Sequence, residues 1–363
     1  MSDPSNAVGS ALVFTGPATG WRLIAQPMPE PTPGAVVVRV EAATLCASDL
    51  HTLHGRRGAP CPSVLGHETV GRIVAWGTGP SPRDTGGAAL HVGDRVAWAV
   101  VAACNACPAC RSGLPQKCLT GIKYGHEPFE GARAWTGGFA TWVLLAPGTA
   151  IVRLPESLPA SLAAPASCAT ATAMHAWRFL GDAAGRRVVV TGAGLLGLTA
   201  AAIARQRGAA EVVVIDPDSR RHDATRAIGA TAARAVTEDG QARFDLWFEA
   251  SGQPALWPSM LPRLALAARV AVVGAVFPAP AAAVDLETVV RRCLSITGIH
   301  NYAPADLAEA VAWLTTLAPD HPLGDAVGAW FALDDHAAAA LAASTSGALR
   351  VGFRPAVATT PRG

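Results

Sequence analysis

Charge is scarce in this chain. Asp, Glu, Lys and Arg make up 15% of its 363 residues, and the formal net charge is +2. No polybasic run breaks that near-neutrality, which counts against nucleic acid or an anionic membrane surface as a partner. Half of the residues are hydrophobic, so the low charge points to a packed soluble protein and away from a disordered one. A secretory leader is missing too: "MSDPSNAVGS" has neither a basic start nor an apolar core, and a cytoplasmic location is expected. The longest uncharged apolar run, Val188 to Ala204, is broken by the glycines of "TGAGLLGLT". It reads as a buried strand entering a helix, not as a membrane span. Internal repeats and low-complexity tracts are absent, apart from alanine richness and a tail expected to fray after Pro355.

What the chain does have is length for two domains and eight cysteines. Its first 150 residues carry β-branched runs closed by glycine, such as "AVVVRVEAATLC" and "TVGRIVAWGTG", and prolines that break long helices. An antiparallel, barrel-like β domain with long loops is expected there. From about Pro155 alanine-rich helices alternate with the short apolar strands "RRVVVTGAG", "AEVVVIDPD", "FDLWFEASG" and "ARVAVVGAVF", the spacing of βαβ units in a parallel sheet. A last helix, "PADLAEAVAWLTTL", and the strand "ALRVGFRP" are expected to return to the first domain.

The first βα junction holds Gly192-x-Gly194-x-x-Gly197, with Leu195 and Leu196 between the last two glycines. Directly after a strand and opening a helix, this pattern suits a dinucleotide pyrophosphate. The glycines permit a tight turn, close backbone approach and helix–strand packing, and the helix N-terminus favours negative charge. Asp216 follows at the end of the next strand, placed to accept from ribose hydroxyls and to repel a 2′-phosphate, so NAD is expected over NADP. Arg220 and Arg221 lie close by and pull the other way.

In a reducing cytosol clustered cysteines point to metal. Cys104, Cys107, Cys110 and Cys118 follow C-x2-C-x2-C-x7-C, a spacing that lets four thiolates surround one zinc and leaves no open position. Such a site braces a loop and carries no reaction; an iron–sulfur cluster or unrelated buried cysteines are the alternatives. A second set is scattered: Cys46, Ser48, Asp49 and His51 in "LCASDLHTLH", His67 and Glu68 in "GHE", and Cys168 in "PASCATATA". Taken singly, each has an ordinary packing explanation. Cys61 and Cys293 are expected to be packing cysteines, and His54 a surface residue.

Taken together, "VEAATLCASDLH", "LGHETVGRIVAWG", "VGDRVAW", the four-cysteine lobe, "GGFATWV", "GAGLLG" and Asp216 resemble the zinc-dependent medium-chain dehydrogenases of the alcohol, polyol and threonine dehydrogenase group. The resemblance implies an α/β protein. A GroES-like β-barrel catalytic domain would span residues 1–170 and a Rossmann domain with a doubly wound parallel sheet 171–303, with 304–363 returning to the first. The active-site cleft would lie between the domains, in a homodimer or homotetramer. It implies two zinc ions, one structural and one catalytic. Cys46, His67 and Cys168 would hold the catalytic ion, the ligand set of alcohol dehydrogenase, with Glu68 a nearby carboxylate. Some branches use glutamate as the third ligand; Cys168 places this chain nearer the alcohol dehydrogenase set. Asp49 would orient the ligand histidine, Ser48 take the substrate proton, His51 relay it, and Thr172 contact the nicotinamide.

The strings "LPQKC", "KYGHE", "APASCATATAM" and "VVRRCLSITGIHNYAPADLAEAV" are similar to a branch associated with phosphonate catabolism, and related sequences are linked to cyclitols. Either substrate is a small polar alcohol or ketone that can carry an anionic group. Lys123, His126, His300 and Asn301, with Tyr124, are the candidates to meet it; simple loop packing is the alternative. A zinc-free reductase would not need both cysteine sets. A non-catalytic zinc-binding interaction protein would not need Ser48, His51 or Asp216.

Overall fold

The computed structural model describes residues 7–233 and 243–356, so the tail expected to fray lies almost wholly outside the described residues. The chain folds as two compact units. One draws on the chain up to Cys168, on Ala303–Leu317 and on the residues from Ala326; the other on Ala169–Tyr302 and Ala318–Asp325.

In the first unit the β-branched runs pair as strands. A hairpin of β1 (Val8–Gly16) and β2 (Gly20–Pro27) takes on the short β4 (Ser63–Val64). The larger sheet runs β10 (Ile151–Arg153), β6 (Arg95–Trp98), β5 (Glu68–Trp76), β3 (Val36–Thr44), β18 (Arg350–Phe353), β17 (Val327–Phe331), with β9 (Trp142–Leu145) also on β3. A ribbon of β7 (Val101–Ala102) and β8 (Ile122–Lys123) stands apart. Strand β3, enclosed by β5, β9 and β18, buries most of its residues on both faces, hence its richness in valine and alanine, which only Arg39 and Glu41 interrupt before Thr44. Trp21 of β2, Phe139 ahead of β9 and Phe353 of β18 meet edge to face, with centroids 5.9, 6.1 and 5.1 Å apart. That aromatic trio packs the late strand β18 against the early hairpin.

The second unit is a parallel sheet in the order β13 (Thr231–Ala233), β12 (Glu211–Ile215), β11 (Arg187–Thr191), β14 (Phe244–Glu249), β15 (Leu264–Val272), β16 (Ser295–Gly298). Counted from β11 this is 3-2-1-4-5-6, the order of dinucleotide-binding sheets, with its topological switch beside β11. Val188, Val189 and Val190 are fully buried because the sheet centre is covered on both faces. Helix α2 (Ala169–Leu180) packs on helix α3 (Leu195–Gln206), so the apolar run that could be mistaken for a membrane span is a strand, a turn and a helix. Among the described residues no helix is long and apolar enough to cross a membrane.

Two strands of this sheet have no sequence signature. β13 reads "TAA", and β16 reads "SITG" on an open edge. The expectation for Cys61 and Cys293 is corrected: both are exposed. Neither sits on an inward-facing strand or helix position. Cys61 lies in the loop before Ser63, and Cys293 occupies a left-handed turn (φ 52°) ahead of β16.

Trp247 anchors the parallel sheet. It is fully buried, its indole N–H donates to Thr191 Oγ1 at 3.0 Å, and its ring lies 4.8 Å from that of Trp257. Trp247→Ala is expected to cost about 3–5 kcal/mol, read as a lower urea midpoint for unfolding of the second unit.

Candidate metal centres and dinucleotide loop

The four-cysteine lobe is built by two tight turns. Cys107 caps a short helical segment, Pro108–Arg111, that places Cys110 one turn later, and a 3-10 turn, Pro115–Lys117, delivers Cys118. Sulfur separations are 3.5 Å (Cys107–Cys110), 3.9 Å (Cys107–Cys118) and 4.0 Å (Cys104–Cys110). Four sulfurs at about 2.3 Å from one zinc stand about 3.8 Å apart, so the set fits a tetrahedral ion. Backbone N–H groups of Ala106 and Cys107 point at Cys104 Sγ at 3.4 and 3.3 Å. The Ala106 N–H, then Thr120 and the Cys107 N–H, hold that thiol down at about 5, ready to ligate as thiolate.

The scattered set also converges, entirely within the first unit. One ligand atom from each of Cys46, His67, Glu68 and Cys168 lies within 4.8 Å of the others, although the residues come from three separate segments. Cys46 ends β3's extension and starts helix α1 (Ala47–Leu53); His67 precedes β5; Cys168 closes the turn Ala164–Ser167. Ser167 Oγ donates to the His67 carbonyl at 3.1 Å, which ties the Cys168 segment to the His67 segment.

Asp49 joins two of these groups. Its Oδ2 accepts the Cys46 N–H at 2.9 Å, and its Oδ1 lies 3.5 Å from His67 Nδ1, an ion-pairing distance just beyond a good hydrogen bond. Burial opposes a charge on the His67 ring, yet Asp49 and Cys46 raise it to about 10. A hydrogen bond from Cys168, against burial and with help from Arg350, lowers the Cys46 thiol well below its usual range. The site thus has a field that suits a cation and a thiolate to receive it, so these residues fit a metal.

Glu68 is occupied elsewhere. Its Oε2 accepts from Thr44 Oγ1 at 2.6 Å and Arg350 Nε at 2.7 Å, and its Oε1 from Arg350 Nη2 at 2.8 Å. Burial pushes its carboxyl up against the pull of Arg350. Three neighbouring strands carry this arrangement: Thr44 of β3 faces Glu68 of β5 and Gly352 of β18. Sequence reasoning missed Arg350. The available signal was an arginine within the otherwise apolar strand of "ALRVGF", a position that needs a buried partner.

Ser48 Oγ lies 3.5 Å from His67 Nε2, and His51 follows three residues later on α1. The turn Lys123–His126 adjoins the same set: the His126 ring lies 5.0 Å from the His67 ring, and His126 Nδ1 donates to the Tyr124 carbonyl at 2.9 Å. Tyr124 is a buried brace, its hydroxyl hydrogen-bonded to Thr149 and to the Ala146 N–H. His300 and Asn301 belong to the second unit; His300 is exposed, whereas Asn301 Nδ2 is buried without a hydrogen-bond partner among the described residues.

The dinucleotide loop also lies in the second unit. Gly192 takes φ +96°, and a Cβ on Gly197 would stand 1.9 Å from the Gly192 carbonyl oxygen, so packing of α3 on β11 requires glycine there. At Gly194 a Cβ would meet only Arg221 Nη1, at 3.8 Å. The protein itself leaves that space open, a cradle that fits an incoming phosphate. Leu195 and Leu196 supply the first turn of α3. Asp216 accepts from the Ala193 N–H (2.7 Å) and the Asp218 N–H (2.9 Å), and Arg221 Nη1 lies 3.6 Å from it. Arg220 is clasped by Asp218 at 2.9 and 2.8 Å. Thr172 is buried on α2.

Sequence profiles agree with this organisation. That of the alcohol dehydrogenase GroES-like domain matches residues 32–156, and that of the zinc-binding dehydrogenases matches 196–316. The chain is 30% identical to an L-threonine 3-dehydrogenase of Pectobacterium carotovorum over 80% of its own length and 83% of that protein. It is also 30% identical to 5-exo-hydroxycamphor dehydrogenase of Pseudomonas putida, over 92% and 94%. Among solved structures, an alcohol dehydrogenase of Thermotoga maritima superposes with a TM-score of 0.88 at 25% identity, covering 96% of this chain and all of that one.

Metal analysis is expected to find about two zinc ions per chain, with His67→Ala and Cys110→Ser each losing one. Only Cys110→Ser is expected to lower the thermal midpoint by several degrees. Arg350→Met leaves the Glu68 carboxylate buried and unpaired. A loss of about 3–5 kcal/mol of stability is expected, most of it recovered in the Arg350→Met, Glu68→Gln double variant.

Proposed function

The chain belongs to the zinc-dependent medium-chain dehydrogenase family, and from that premise we propose that it oxidises a polar primary or secondary alcohol, or reduces the matching carbonyl, with NAD(H). The observation that carries this reading is the convergence of Cys46, His67 and Cys168 beside Ser48, while both oxygens of Glu68 are engaged by Arg350 and Thr44. Three donors leave a fourth position for a substrate oxygen. Zinc held by these residues supplies a Lewis acid that lowers the pKa of an alcohol, and NAD held by the second unit supplies the hydride acceptor.

The chain's own residues manage the proton. Ser48 Oγ takes it from the substrate hydroxyl, and His51 passes it to solvent. Burial, then the charge of Arg56, holds the His51 imidazole below its usual range, so the ring is neutral and able to accept. Asp49 keeps His67 oriented.

In the second unit Gly192, Gly194 and Gly197, with the N–H groups of Leu195 and Leu196, receive the pyrophosphate; Asp216 receives the ribose and Thr172 the nicotinamide. NAD is favoured over NADP because carboxylates already engage Arg220 and Arg221. Residues 1–170 and 304–363 are read as the catalytic domain and 171–303 as the nucleotide domain, with the short Ala318–Asp325 segment grouped with the second unit. Hydroxyalkylphosphonates are the first substrate class to consider, and cyclitols or other polyols the second. His126, His300 and Asn301 remain candidates to contact substrate. A homodimer or homotetramer is supported by the open edge at β16, near which Leu266 and Val290 are 76% and 74% exposed.

Purified zinc-loaded protein is expected to reduce NAD with polar alcohols, and NAD is expected to exceed NADP by at least about tenfold in kcat/KM. Ser48→Ala should lower kcat by about 10²–10⁴-fold while NADH binding, followed by fluorescence, is retained. NADH binding without oxidation of any alcohol would count against the proposal.

A further inference from the structure

Charges around the Cys46–His67–Cys168 set are unevenly matched. Its carboxylates are all engaged: Asp49 by the Cys46 N–H and His67, Glu68 by Arg350 and Thr44. Glu127, four residues beyond Lys123, accepts from the Lys123 backbone N–H and from the Arg133 guanidinium, each at 2.8 Å. Two cations nearby have no such partner. Lys123 ends β8, partly buried, and among the described residues only its backbone is hydrogen-bonded. Arg57 is also partly buried just beyond α1, where its backbone N–H donates to the His51 carbonyl at 3.1 Å, and no described carboxylate pairs with its guanidinium.

The two cations share a neighbourhood. Burial, then the charges of Arg57 and Lys117, pushes the Lys123 ammonium down to about 8; the one opposing influence is Cys168, itself part of the candidate ligand set. Arg57 and Lys123 both act on His126, and Arg57 acts on His51. The turn that carries Lys123 is hydrogen-bonded and packs directly on a candidate ligand segment. The His126 N–H closes a turn on the Lys123 carbonyl at 3.0 Å, and the Gly125 N–H donates to Thr136 at 2.9 Å. A Cβ on Gly125 would stand 2.6 Å from the Gly66 carbonyl oxygen and 3.1 Å from the His67 nitrogen, so this turn is pressed against the Gly66–His67 backbone.

Partly buried like charges repel and lose hydration, an arrangement that an incoming anion relieves. A guanidinium adds a planar fork that matches carboxylate, phosphonate or phosphate oxygens, and an ammonium adds a second point of charge. We propose that Lys123 and Arg57 form an anion-recognition subsite beside the Cys46–His67–Cys168 set, so that the alcohol oxidised here carries a phosphonate, phosphate or carboxylate group and is not a neutral polyol. This deepens, and rests on, the alcohol dehydrogenase reading above. It also brings in Arg57, which sequence reasoning passed over.

The test uses zinc-loaded protein with NAD and matched alcohols of one chain length, ending in phosphonate, phosphate or carboxylate or in the neutral methyl ester of each. At least one anionic alcohol should exceed its ester by about tenfold or more in kcat/KM, with the advantage shrinking as salt is added. The best of the three anions identifies the group. Lys123→Met and Arg57→Met should each reduce the anionic-to-neutral ratio about tenfold, mainly through KM, and Lys123→Arg should restore part of it. Calorimetric titration with methylphosphonate and with inorganic phosphate should give the same order among the variants without turnover. A wild-type ratio near one, or a ratio that neither substitution moves, overturns the subsite while alcohol oxidation stands. If no alcohol is oxidised but methylphosphonate binding still depends on Lys123 and Arg57, the dehydrogenase reading falls and the subsite survives.

Discussion

Arg350 and Glu68 form an ion pair withdrawn from water, and neither group is tolerable there without the other. Their strands, β18 and β5, flank β3, whose Thr44 completes the contact, so satisfying one buried charge fixes three strands in register. Glu68 directly follows His67, and Arg350 Nη2 stands 3.6 Å from Cys46 Sγ. The same guanidinium therefore positions one candidate ligand through the backbone and favours the thiolate of another through its charge. Asp49 meets the same two residues, accepting from the Cys46 backbone and lying within ion-pair distance of the His67 ring. The metal-binding geometry is a by-product of how two carboxylates are kept satisfied.

Two kinds of cysteine chemistry coexist in this fold. The lobe at 104–118 offers four sulfurs, with backbone N–H groups aimed at Cys104 and at Cys118, and four thiolates account for every position of a tetrahedral ion. The second set offers two sulfurs and an imidazole, with a carboxylate both of whose oxygens already accept hydrogen bonds from Arg350 or Thr44. A closed set of four donors suits a brace, whereas three donors leave the open position that the proposed reaction needs. The dinucleotide loop shows a comparable distinction: Gly197 is required by the protein's own packing, whereas Gly194 leaves room that no protein atom fills.

Features whose cause is local could be read from the sequence. The α/β class, the alternating strands and helices of the parallel sheet and the glycine turn after β11 all arise within a few residues, and so does the four-cysteine spacing. Membership of the dehydrogenase family followed from several such strings at once. Features whose cause is distant could not. Arg350 meets a partner 282 residues earlier in the chain, so nothing beside it in "ALRVGF" announces the pairing. Arg57 sits in a glycine- and arginine-rich loop that looks like solvent-facing surface until the fold brings it near Lys123. Strands β13 and β16 are short and weakly hydrophobic, because the sheet recruits them by backbone pairing and not by side-chain burial. Cys61 and Cys293 were misjudged for a related reason: composition says that a cysteine tends to be buried, but the local turn decides where it points.

The spread of the two cysteine sets along the chain has a consequence for biosynthesis. The lobe closes within fifteen consecutive residues, so it can capture its ion on a nascent chain as soon as Cys118 has left the ribosome. The other centre needs Cys168 and also Arg350, which lies 304 residues after Cys46. Without that arginine, Glu68 beside His67 would be a buried charge with no counter-charge. The two sets thus differ in what they require of the chain: the four-cysteine lobe is assembled from one short segment, whereas the Cys46–His67–Cys168 set draws on strands from both ends of the first unit.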